Sequence, residues 1–273
     1  MKHPLRALLL LLSLCTLLAA CADTATTSST STPTSPVTLT VFAAASLTES
    51  FTEIGMQYHK MHSNITVKFN FAGSQTLETQ MANGASADIF ASADLANMQK
   101  ASDAGLVGNS QVFVKNKLAV IIPASNPGPI STLKDLAKKG IKIDIGAVTV
   151  PAGKYARQVL DNMAKSPDYG PSYKSAVLKN IVSEEDNVKA VVQKVQLGEV
   201  DAGFVYLTDV TAAVSAKVKI IDIPDTFNVI AQYPIAVVKN SPHAAEAQTF
   251  IQYILSPDGQ AILVKYHFIG VNG

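Results

Sequence analysis

From Val37 onward, short apolar runs alternate with segments whose apolar residues recur three and four positions apart. This alternation limits the fold more than any other property of the chain. A strand over 37–44 leads into a helix from Ser46 to about Met61, with Leu47, Phe51, Ile54, Tyr58 and Met61 on one face. A strand over 65–71 leads into a helix from Ser74 to about Asn83, closed by Gly84. A third strand, 87–92, leads to a helix opening at Asp94, a good N-cap. The βαβαβα order predicts an α/β fold with a mostly parallel sheet.

The rhythm changes at a long apolar stretch, 112–122, expected to be one strand. A second α/β unit then begins: a helix at 131–139, a strand at 141–147 and a helix from Gly153 to Ala164. After a Pro/Asp/Gly loop at 166–171 come a helix over 187–197 and strands at 200–206 and 218–223. The chain closes with a strand at 235–238 and helices near 243–255 and 257–265. Two such units predict two lobes, joined where the apolar strands near 112–122 and 227–238 pass between them. The expected division is lobe 1 over 37–117 and 234–273, with lobe 2 inserted over 118–233.

The first residues belong to neither lobe. Lys2 and Arg6 precede a 14-residue run, Ala7 to Ala20, that is too short to span a bilayer comfortably. It suits a signal peptide over 1–20. Leu18-Ala19-Ala20-Cys21 resembles the lipobox of bacterial lipoproteins, which implies that Cys21 becomes the lipid-bearing first residue. The stretch 21–36 is nearly all Ser, Thr, Ala and Pro, so it is expected to be a flexible tether. The only other cysteine, Cys15, lies inside the signal, so no disulfide is expected. Without residues 1–20 the 22 basic residues become 20 against 21 acidic ones, and that balance argues against a nucleic-acid partner.

Ligands of open parallel sheets bind beyond the carboxyl ends of strands, at the starts of the following helices. The turns to inspect are therefore 43–46, 72–74, 150–153 and 183–188. Each contains small or neutral polar residues and a helix start, and none contains Lys or Arg, although Lys154 follows one closely. Four helix N-termini in one cleft would offer free N–H groups and positive dipole ends, which suits an anion.

Five strings, "TVFAAASLTESF", "FAGSQTLETQM", "ADIFASADLANM", "VPAGKYAR" and "VDAGFVYLTD", resemble in order and spacing the molybdate-binding proteins of ABC uptake transporters. The resemblance covers about residues 38–270. It implies a two-lobed periplasmic-binding-protein fold of type II, each lobe a mostly parallel sheet flanked by helices. It also implies an extracytoplasmic, lipid-anchored monomer of the cell envelope that hands molybdate, and tungstate, to an importer's permease. The ligand contacts it implies are the hydroxyls and amides of Ser46 and Ser74, the amides of Ala152 and Val188, and the Tyr206 hydroxyl. Two positions depart from the family pattern. Gly73 stands where some relatives have serine, and "SEEDNV" lacks the glycine that precedes "ENV" in other forms.

The residue types agree with such a guest. Molybdate at neutral pH has no proton and only accepts hydrogen bonds, so a set made solely of donors satisfies it. Phosphate usually retains a proton and calls for a carboxylate, which the turns at 43–46, 72–74 and 150–153 lack. Sulfate also only accepts, so a receptor of the same fold for sulfate is the alternative, and excluding it must rest on cavity size. No enzyme activity and no resident cofactor are expected. Ser46 has no G-x-S-x-G elbow and no histidine at a neighbouring turn, as a serine hydrolase would need. Ser46-Leu47-Thr48-Glu49 also matches a helix capping box, a role compatible with ligand contact. His59 and His62 have metal-pair spacing but no completing ligand, and Asp88 reads as a strand-entrance residue.

Overall fold

The computed structural model describes residues 35–271; the expected signal peptide, most of the tether and Cys21 lie outside them. The first elements follow the predicted alternation: β1 (Val37–Ala44), α1 (Thr48–Met61), β2 (Ile65–Ala72), α2 (Ser74–Ala82), β3 (Ile89–Ala91), α3 (Leu95–Asp103) and β4 (Gln111–Asn116). Then come β5 (Leu118–Pro123), β6 (Ile143–Gly146), α4 (Pro151–Ala164), α5 (Gly170–Lys179), β7 (Ile181–Glu185), α6 (Val188–Leu197), β8 (Ala202–Tyr206), α7 (Ala212–Ser215) and β9 (Val218–Ile221). The chain returns through β10 (Ala231–Val237), α8 (Ala244–Leu255) and α9 (Pro257–Lys265).

These strands form two five-stranded sheets, ordered β2-β1-β3-β10-β4 and β7-β6-β8-β5-β9. In each, three neighbours are parallel and a reversed fourth strand carries a fifth that runs with the first three. The predicted fold class holds, with one reversed strand per sheet. In each case it is the strand adjoining the passage between sheets, β10 in one and β5 in the other. Parallel strands buried under helices read as continuous apolar runs, and all six residues of β5 are buried.

Helix faces follow from the same spacing. Tyr155, Ala156, Val159, Leu160 and Met163 bury one stripe of α4, and Val188, Val191, Val192 and Val195 one stripe of α6. Asp94 and Asn187 cap α3 and α6 by accepting the N–H groups of Asn97 and Ala190. Gly198, at φ 72°, ends α6 in the left-handed conformation that glycine adopts without strain.

Three expectations needed revision. The stretch 112–122 is two strands in different sheets, because the chain leaves the first sheet at Lys117. There the side-chain amide of Asn228, from the other crossing segment, stands in for a strand neighbour. It accepts from the Leu118 N–H at 3.1 Å and donates to the Leu118 carbonyl at 2.8 Å. The helix expected at 131–139 is a short 3₁₀ turn, Leu133–Ala137, because Asp135 accepts the N–H groups of Ser131 and Thr132 and holds the start tight. Finally, α5 and β7 occupy a stretch that periodicity leaves unassigned: β7 is an edge strand with no fully buried residue, so it lacks an apolar signature.

Candidate functional site

The carboxyl ends of β1, β2, β6, β7 and β8 meet at one small cavity lined by Ser46, Ser74, Ala152, Asn187, Val188 and Tyr206, with alanine, glycine, valine and proline between them. The centre of a water-sized sphere can move within about 10 Å³ there. That is about the room one water needs, so this closed geometry excludes any extended guest. All five residues singled out in the sequence therefore share one wall. Ser46 and Ser74 come from turns of the first sheet, and Ala152, Val188 and Tyr206 from the second.

Local structure fixes what each can offer. Gly73 precedes α2, Val150 precedes α4 and Asn187 precedes α6, so the amides of Ser74, Ala152 and Val188 lie in first turns, ahead of the intrahelical ladder. Pro151 opens α4 at a position where no N–H is needed. Packing at these turns is close enough to demand glycine twice. A Cβ on Gly153 would lie 1.9 Å from the Gly146 carbonyl, and one on Gly73 would lie 2.3 Å from the Asp186 carbonyl across the cleft. Gly73, which departs from the family pattern, thus has a steric reason in this closed geometry.

The side chains are buried hydroxyls. Ser74 Oγ accepts the Ala93 N–H at 2.9 Å, and Ser46 Oγ lies 2.9 Å from the Tyr233 hydroxyl. No capping bond from Ser46 forms; Glu49, the other half of the expected capping box, instead receives Lys189 at 2.8 and 2.9 Å. The Tyr206 hydroxyl is buried beside the Tyr233 hydroxyl but makes no bond of hydrogen-bond geometry among the described residues. Burial, with Tyr233 and Tyr155 nearby, holds its pKa well above the ordinary tyrosine value, so it remains a donor. No Lys, Arg, Asp or Glu lines the cavity. Charges adjoining it are paired: Lys154 with Asp94 at 3.7 Å, and Lys189 with both Glu49 and the fully buried Asp209. Burial works to lower the Lys189 pKa, but the Asp209 and Glu49 carboxylates outweigh it and keep the ammonium charged.

Several contacts cross the cleft. Lys189 reaches Glu49, Lys154 approaches Asp94, and the Gln75 amide donates to the Asp186 carbonyl at 2.8 Å. Sequence reasoning missed this set, and it missed Asn116 and Tyr233 behind Ser46. Lys189 directly follows an expected contact residue, a placement that could have drawn attention to it. Elsewhere, His59 Nδ1 bonds the Ile65 carbonyl and His62 packs on Tyr58, so neither is arranged as a metal ligand. Asp88 ties Thr40 to Ser241, as befits a strand entrance.

A cavity between two sheets, with hydroxyls and helix-start amides supplied by both, is an arrangement suited to holding a small solute. The family model of bacterial extracellular solute-binding proteins matches residues 39–269. The chain belongs to this family. As a solute-binding protein it is similar to the molybdate-binding protein ModA of Mycobacterium tuberculosis, 36% identical over 232 residues that cover 85% of this chain and 84% of that protein. Among solved structures it resembles the substrate-binding domain of a putative molybdenum ABC transporter from Clostridium difficile. The TM-score is 0.63 at 32% identity, over 86% of this chain and 99% of that one. The sulfate-binding protein SubI of Mycobacterium tuberculosis has a TM-score of 0.76 at 17% identity, over 86% of this chain and 88% of that one. That likeness shows the shared two-lobed fold.

Proposed function

We propose that this solute-binding protein captures molybdate, and tungstate, in the cavity between its lobes and delivers it to an ABC importer. The observation that carries the proposal is the Tyr206 hydroxyl, buried without a partner beside two serines and two helix-start amides, with no charged side chain on the wall. A proton-free tetrahedral oxyanion supplies the acceptor that each donor lacks. Charge-assisted hydrogen bonds contribute about 1.5–3 kcal/mol each, so a handful supports tight binding without a salt bridge. The likeness to molybdate-binding relatives supports the same guest.

The guest binds one lobe first, and rotation about Lys117 and the 222–230 segment brings the second set of donors onto it. Nothing is made or broken covalently; the closed, loaded monomer is what the permease recognises. A lipid on Cys21 keeps the receptor at the membrane, with residues 21–36 as its leash. Calorimetric titration against molybdate, tungstate, sulfate and phosphate tests the ligand. Tight, mutually competitive binding of the first two is expected, and preference for sulfate or phosphate overturns the assignment. Cys21→Ser is expected to release the protein from membranes with its affinity intact; retention at the membrane refutes the anchor.

A further inference from the structure

A hydroxyl can turn its proton toward a guest or away from it, and the groups behind the oxygen decide which. Behind Ser74 stands the Ala93 N–H, which only donates, so the serine keeps its own proton for another acceptor. Behind Ser46 stands Tyr233, which can do either. Its direction is fixed one residue further back. The Lys117 N–H donates to Asn116 Oδ1 at 2.9 Å, which orients that side chain. Asn116 Nδ2 is then left to donate to the Thr208 hydroxyl at 2.8 Å and to the Tyr233 hydroxyl at 3.2 Å. Tyr233 accepts a hydrogen from Asn116, and the Tyr206 hydroxyl beside it makes no bond of hydrogen-bond geometry, so among the described residues Ser46 is the acceptor left for the Tyr233 proton. The Ser46 proton is left for the cavity. Asn116, Thr208, Tyr233 and Ser46 are all buried.

We infer that Tyr233, oriented by Asn116, is a positioning residue that makes the cavity wall donor-only and so selects oxyanions without a proton over oxyanions of equal charge that keep one. The inference rests on the oxyanion reading of the cavity. It concerns a residue that lies behind the wall and does not line it.

Molybdate and hydrogen arsenate are the probes: at mildly alkaline pH both are tetrahedral dianions of similar size, and only the second carries an O–H. The full chain is titrated with molybdate, and with hydrogen arsenate in competition. Tyr233→Phe keeps the ring packed between Phe113 and Phe268 and frees Ser46 to point either way. It is expected to weaken molybdate about tenfold and hydrogen arsenate much less. Asn116→Asp reverses the chain: the carboxylate takes the Tyr233 proton, Tyr233 accepts from Ser46, and Ser46 turns a lone pair to the guest. Its added charge acts on both dianions alike, so the molybdate-to-arsenate affinity ratio is expected to fall about a hundredfold. Equal weakening of both anions in both variants would reduce Tyr233 to packing and overturn the inference, as would a wild type that binds the two equally well. A wild type that binds no molybdate removes the site reading itself, and the inference with it.

Discussion

Tyr206→Phe separates a ligand contact from a structural hydroxyl, because the two roles give opposite signs. In the closed structure the Tyr206 hydroxyl is buried and unpartnered. An unsatisfied buried polar group costs about 1–3 kcal/mol, so removing this oxygen breaks no bond within the protein. The ligand-free variant is therefore expected to melt no lower than wild type. At roughly 2–4 °C per kcal/mol for a domain of this size, relief of that cost would raise the midpoint by several degrees to the extent that the empty protein is closed. With the oxyanion bound, the balance reverses. One charge-assisted hydrogen bond of about 1.5–3 kcal/mol is lost, a ten- to hundredfold loss of affinity. Differential scanning calorimetry without ligand, and titration calorimetry with molybdate, read the two halves on one sample. A variant that melts lower than wild type yet binds molybdate unchanged would refute the reasoning, since the hydroxyl would then be holding the fold.

Three other perturbations have outcomes worked from the same contacts. Ser74→Ala is expected to weaken molybdate by about 1–3 kcal/mol, and also to lower stability, because the buried Ala93 N–H loses its acceptor; calorimetry and melting check the two parts. Lys189→Ala strands the fully buried Asp209 carboxylate and releases Glu49, so a loss of about 3 kcal/mol in denaturant unfolding is expected, shrinking at acid pH as Asp209 takes up a proton. Asp144 is buried with one oxygen unpartnered, and burial, with Glu185 nearby, pushes its pKa up to about 6. Because the folded state holds that proton more tightly, Asp144 contributes against stability as pH rises from about 4 through 6, by roughly 3 kcal/mol in all. Asp144→Asn is expected to remove this decline, and parallel pH profiles of the two proteins would contradict it.

How much of this was legible in the sequence follows from where each signal lives. β1, α1, β2, α2 and α6 lie within a residue or two of their expected bounds because each buries one periodic face or opens on a capping side chain. The break at Lys117 is hard to read because apolar runs flank Lys115-Asn116-Lys117 on both sides, so the interruption passes for the polar face of one strand; what divides them is Asn228, 111 positions beyond Lys117. The site wall could be read, since small residues at strand-to-helix turns are local features. Its backing could not. Tyr233 sits inside an apolar strand and Asn116 ends another, and only the pairing of β10 with β4 brings them behind Ser46.

Splitting the donors between two sheets also explains why binding and closure belong together. If the cavity holds an oxyanion as proposed, closing it empty buries Tyr206 and its neighbouring donors without acceptors, at about 1–3 kcal/mol for each group. Against that stand cross-cleft contacts that are partly exposed, Gln75 with Asp186, Glu49 with Lys189 and Lys154 with Asp94. Exposed pairs of this kind contribute about 0–1 kcal/mol each. Two orphaned donors are enough to tip the empty protein open. A guest that satisfies them reverses the sign and adds its own charge-assisted bonds, approaching the roughly 5.5 kcal/mol needed to turn a 1:99 equilibrium into 99:1. A permease that reads only the closed shape would then meet loaded receptors and few empty ones, and the Tyr206 hydroxyl, which no residue satisfies, is what makes the difference.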